Sequence, residues 1–85
     1  MKKIQKKQLD SLIYLCRRYW HEHDKEVLTA RIAQAQAIEK ESDISWSAVL
    51  DFVDAIVMTK GINFDADNRT IYMAFQLFGW DVVAE

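Results

Sequence analysis

The sequence predicts an all-α protein, a single domain over residues 1–85 folded as a small compact bundle of about four helices with a short C-terminal tail. Apolar side chains recur at spacings of three and four through most of the chain, the period of helices that turn one face to a core. There is no proline and there are only two glycines, so long helices joined by short polar links are the economical arrangement. At 10.0 kDa the folded surface scales to about 5,200 Å², with roughly 64% of the unfolded surface removed from water. That is one modest core, with little volume from which to carve a catalytic cleft.

The first helix is expected near 4–23, where Leu9, Leu12, Ile13, Cys16, Tyr19 and Trp20 share one sector. The stretch "HEHDKEV" then breaks the pattern, and Asp24 is placed to cap a second helix with Glu26 in its first turn opposing the dipole. That helix, about 25–40, turns Leu28, Ile32, Ala35 and Ile38 inward with Val27 beside them, and leaves Ala30, Ala33 and Ala37 around its other side. Alanine there serves helix propensity or the close approach of a second copy of the chain, so a homodimer is one expectation. After "EKESD", with Ser42, Asp43 and Ser45 as N-cap candidates, a central helix runs about 45–60. Trp46, Val49, Leu50, Val53, Ile56 and Val57 form its inner sector, Phe52 widens it, and Ser47, Asp51 and Asp54 face outward. Gly61 suits the left-handed position that ends it. The last helix, about 66–78, follows capping candidates Asn63, Asp65 and Asp67 and buries Ile71, Ala74, Phe75 and Phe78, with Gly79 as its stop. In the tail "WDVVAE", Trp80, Val82 and Val83 alternate like a short extended segment, with Trp80 closing one end of the core.

Charge is unevenly placed. Residues 1–20 hold six basic side chains against Asp10 alone, whereas the remainder holds five basic and twelve acidic ones. This layout bears on partners or on packing between the two halves, and not on fold. Two binding surfaces follow. The first is acidic: Asp43, Asp51, Asp54, Asp65 and Asp67, with Tyr72 and Trp80 as aromatic anchors, would take a basic protein partner. A non-enzymatic protein-binding module of the inhibitor, immunity, antitoxin or assembly-accessory type is the principal functional expectation. The alternative is a nucleic-acid-associated regulator using the basic N-terminal helix, in which Lys3, Lys7, Tyr14, Arg17 and Arg18 meet phosphates and bases.

Chemistry finds little support in the motifs. "DADNRTI" has aspartates at the first and third positions of a calcium loop, but Thr70 stands where that loop requires glycine and Gln76 where it requires glutamate. His21 and His23 are two residues apart and diverge on a helix, so "HEHD" is no zinc hydrolase motif. Cys16 and His23 would stand about 10 Å apart along a helix, beyond hydrogen-bond reach. Asp51 and Asp54 are helical neighbours without a third ligand nearby. The expectation is no enzyme, no metal and no cofactor, with a small enzyme whose site is shared between chains as a remote alternative. A helix-turn-helix around Gly61 is disfavoured because the candidate recognition helix has Arg69 as its single basic group. A lone cysteine excludes an intrachain disulfide, and no apolar run reaches the length of a signal peptide core or membrane span, so a cytoplasmic location is expected.

Overall fold

The computed structural model describes residues 2–60 and 68–84, with the side chain of Lys60 excluded. Strand β1 (Lys2–Gln5) leads into helix α1 (Lys6–Glu22), followed by α2 (Lys25–Ser42), α3 (Trp46–Lys60), α4 (Arg69–Leu77) and strand β2 (Trp80–Val83). The mostly helical four-helix bundle expected from the periodicity is present. Its total accessible surface, 5327 Å², is close to the scaling value for a compact chain of this mass.

The scarcity of glycine is met by two other residues. His23 and Asp43 both take left-handed backbone conformations, each with φ 55°, a region in which Asp and His are enriched among non-glycine residues. The His23 amide donates to the Tyr19 carbonyl at 2.6 Å and the Asp43 amide to the Glu39 carbonyl at 2.9 Å, ending α1 and α2. One residue beyond His23, the Asp24 carboxylate accepts the Glu26 amide at 2.8 Å and opens α2 as expected. Replacing Asp24 with alanine is expected to cost about 1 kcal/mol, a fall in Tm of roughly 4–8 °C. An unchanged melt would mean that packing alone sets the start of α2. The opening of α3 is tied across the bundle, because the Glu39 side chain of α2 accepts the Trp46 amide at 3.0 Å. The expected caps Asn63, Asp65 and Asp67, and the stop at Gly61, lie outside the described residues. Gly79, with φ 85°, turns the chain from the end of α4 into β2, a conformation that glycine adopts without a side-chain clash.

The two ends differ from the sequence expectation. Residues 2–5 form a strand, and pair in parallel with β2 in the register Lys2↔Trp80, Lys3↔Asp81, Ile4↔Val82 and Gln5↔Val83. Lysine and glutamine are good helix formers, but Ile4 is fully buried opposite Val82, so tertiary burial overrides local propensity. Parallel strands require a long crossover, and here the entire helical body supplies it. The core gathers Ile4 from β1, Leu9, Leu12, Ile13 and Cys16 from α1, Ala35 and Ile38 from α2, Val49, Leu50, Val53 and Val57 from α3, and Ile71 and Phe75 from α4.

Candidate interaction surfaces

The expected acidic face does not form. Asp43 is exposed, its backbone forming the left-handed stop of α2 and its carbonyl accepting the Lys2 ammonium at 2.7 Å. Asp51 is exposed, but Asp54, three residues on, turns inward. Its carboxylate pairs with the Arg31 guanidinium and accepts the Trp20 indole N–H at 3.0 Å. Both partners of the ion pair are largely shielded, with side chains 10% and 14% exposed. The Arg31 guanidinium also lies 4.5 Å from the Tyr19 ring centre and 5.9 Å from that of Trp20, within cation–π range. Burial alone works against the Arg31 cation, but the hydrogen bond and charge of Asp54 outweigh it and raise its pKa. Asp54 is thus an internal tie between α1, α2 and α3. Asp65 and Asp67 lie outside the described residues, so no contiguous acidic surface for a basic partner exists among the described ones.

The two aromatic anchors also have internal partners. The Tyr72 hydroxyl donates to the Asp10 carboxylate of α1, and the Lys6 ammonium stands 5.2 Å above its ring. Trp80 is half-buried in β2, with its ring 5.0 Å from Phe75 and 5.5 Å from Phe52. It closes the end of the core, one of the two roles its place in the tail suggested.

The basic strip is smaller than the sequence suggested. Arg17 is buried and donates to the Asn68 side-chain oxygen at the head of α4, while the Asn68 amide donates to Asp10 at 3.2 Å. Arg17 therefore fastens α1 to α4. Lys3 belongs to β1, alongside Asp81 in the sheet register. Lys7, Tyr14 and Arg18 do share one outward stripe of α1, joined by Ser11. Tyr14 is 53% exposed, and a shallow depression of about 450 Å³ beside it is lined by Asp10, Ser11 and Leu15. Arg18 pairs with Glu22 at 3.2 Å, and that hydrogen bond followed by the Glu22 charge raises its pKa further. Lys2 and Lys6 are exposed as well. The side made by β1 and α1 therefore presents Lys2, Lys3, Lys6, Lys7 and Arg18, whereas its two anions are engaged, Asp10 with α4 and Glu22 with Arg18.

A third surface was not recognised from the periodicity. Met73, Leu77 and Phe78 on and just after α4 are 61%, 85% and 71% exposed, and Met58 on α3 is also exposed. The Phe78 ring meets Phe52 of α3 edge-on at 5.1 Å, so an aromatic cluster reaches the surface there. The three-residue spacing from Phe75 predicts an interior position for Phe78, which the structure does not bear out. The helix ends at Leu77, and past that point helical phase no longer predicts direction. Exposed apolar clusters of this kind mark protein-interaction surfaces. The alanine side of α2 is different: Ala33 and Ala37 border a groove of about 380 Å³ closed by Trp46, Gln36, Glu39 and Lys40.

No described helix is long and apolar enough to cross a membrane, and no group of three or more His, Cys, Asp or Glu among the described residues is placed to hold a metal ion. Comparison with protein families, curated proteins and solved structures finds no match to this chain.

Proposed function

We propose that the chain is a nucleic-acid-associated protein that binds without catalysis, using the side formed by β1 and the outward face of α1. The observation that carries this reading is the set of four exposed lysines there, Lys2, Lys3, Lys6 and Lys7, with Arg18 beside them paired to Glu22. Such a surface attracts a phosphate backbone by releasing its counterions. Tyr14, standing out of the same stripe, offers a flat ring on which an unpaired base can stack. Arg18 supplies a directional donor fork, and the lysines act as point charges along the strand. The contacts are to backbone and base faces, so affinity is expected to depend little on sequence. The lone buried thiol of Cys16 suits a reducing compartment, so the proposed location is the cytoplasm.

The test is fluorescence anisotropy with single-stranded and duplex oligonucleotides across a salt series. About four phosphate contacts give a slope in log K against log salt near −3, so affinity falls roughly 100-fold between about 50 and 200 mM salt. Reversing Lys7 and Arg18 together to glutamate is expected to weaken binding at least about tenfold at low salt without altering the helical circular dichroism. Tyr14→Ala should weaken single-stranded binding more than duplex binding. No retention at low salt, or binding indifferent to the charge reversal, would remove this function.

A further inference from the structure

We infer that the C-terminal strand β2 exchanges between two copies of this chain, the β2 of each pairing with the β1 of the other. The two strands are the first and last described elements, and among the described residues each has the other as its strand partner. A parallel pair is slightly less stable per residue than an antiparallel one, and a sheet of two short strands has little stability of its own. All four residues of β2 are half-buried, and alone among the six elements it contributes no fully buried side chain. Opening of β2 therefore costs less than opening of any helix.

An open β2 leaves an unfavourable surface behind it. Its departure removes Val82 from beside the fully buried Ile4, and takes the Trp80 ring from those of Phe75 and Phe52, 5.0 and 5.5 Å away. An identical strand closes that surface again, and a second copy supplies one. The occupant is fixed by the register within the chain itself, Lys2↔Trp80, Lys3↔Asp81, Ile4↔Val82 and Gln5↔Val83. Every strand contact of the closed monomer is remade in the exchanged dimer, so the two differ in the hinge. α4 ends at Leu77 and β2 begins at Trp80, which leaves Phe78 and Gly79 as that hinge. Gly79 has a φ of 85° with nothing within 4 Å of the position a Cβ would take, so packing does not wedge the turn in place. Connections this short favour exchange. Straightening the hinge gives up the hydrogen bond from the Gly79 amide to the Gln76 carbonyl at 3.0 Å, so the wild-type dimer forms at high concentration. The exchanged particle carries two basic sides, although the inference stands independently of nucleic-acid binding.

Sedimentation of the full chain from about 10 µM to 1 mM, a range that reaches a millimolar Kd, tests the assignment. The expected result is a particle of twice the 10.0 kDa chain mass that grows with concentration. Gly79→Ala puts a Cβ on a left-handed residue in the closed monomer, whereas the straightened hinge accepts it, so its dimer should be at least about tenfold tighter. A cross-link identifies the strands. Lys3 and Asp81 are partners in the register, and neighbouring strands lie about 4.8 Å apart, within the span that a disulfide bridges. A copy with Lys3→Cys, mixed at high concentration with a copy carrying Asp81→Cys and mildly oxidised, should give the mixed disulfide in excess of random pairing, read by mass. Cys16 is buried and does not compete. With both substitutions in one chain, oxidation at low concentration should lock β2 in place and abolish the dimer. Wild type and Gly79→Ala that both stay monomeric throughout the range overturn the inference. So does random pairing of the two cysteine variants, or a dimer that survives the lock, since that dimer uses another surface.

Discussion

Replacing Asp54 with alanine is expected to destabilise the fold by about 3–5 kcal/mol, because it leaves the Arg31 cation shielded from water without its counter-charge. The loss arises from several contacts at once. Asp54 accepts from Arg31 on α2 and, through its other oxygen, from the Trp20 indole of α1. The Arg31 Nε is already buried without a hydrogen-bond partner, so without Asp54 the guanidinium is left with the Tyr19 and Trp20 ring faces and no counter-charge from this pair. For a chain of 85 residues the corresponding fall in Tm is about 12 °C or more, read by urea or thermal unfolding followed by helical circular dichroism. The companion experiment separates the pair from its penalty. Arg31→Met together with Asp54→Leu removes both charges and keeps the volume, and replacements of this kind are often neutral or stabilising. The double variant is therefore expected to recover most of the loss. A small effect of Asp54→Ala alone would show that water reaches the pair and that it does not tie the three helices together.

This internal ion pair also shows where sequence reasoning was sufficient and where it stopped. Helical phase located the stripes of α1 and α3, because Leu9, Leu12, Ile13, Cys16, Val49, Leu50, Val53 and Val57 are all buried. Phase assigns a residue to a side of its own helix but does not identify the neighbour on that side. Asp51 and Asp54 differ by about 60° around the axis, and that rotation separates water from α2. A signal was present in α2, where Val27, Arg31, Ala35 and Ile38 recur at four, four and three, and all are buried. An arginine within such a stripe requires a carboxylate partner, and Asp54 is that carboxylate. Arg17, four residues after Ile13, poses the same question, and one of its guanidinium nitrogens donates to the Asn68 side-chain oxygen. The strand at Lys2–Gln5 had no comparable local signal. Its cause is the pairing of Ile4 with Val82, 78 positions away, a contact that local periodicity does not encode. The acidic binding face failed for the same reason: a carboxylate count does not distinguish a solvated side chain from one committed to an internal cation, as Asp54 is to Arg31.

Raising the pH above the thiol range is expected to destabilise the protein through Cys16, a residue that takes no part in either proposed surface. Burial, followed by the nearby Asp54 charge, pushes the Cys16 thiol far above its ordinary value of 9.0. In the unfolded chain the same thiol ionises normally. Below about pH 8 both states hold the proton and the group contributes no pH dependence. Above pH 9 the unfolded state has released its proton while the folded state retains it. Stability then falls as pH rises, with a limiting slope near 1.36 kcal/mol per unit. At pH 10, one unit above the ordinary value, the loss from this group is roughly 1.4 kcal/mol. Tyrosine and lysine titrate in the neighbouring range, so the informative quantity is the difference from Cys16→Ala. That variant is expected to be less stable near neutrality, because it leaves a small void beside Arg31 and Asp54, but to show a flatter alkaline decline. Urea unfolding from pH 7.5 to 10 measures both slopes, and parallel declines would mean that Cys16 ionises in the folded state. A thiol reagent provides an independent measurement: its reaction with native protein should be limited by opening of the fold. It should accelerate sharply in Asp54→Ala, where the same helix junction is weakened.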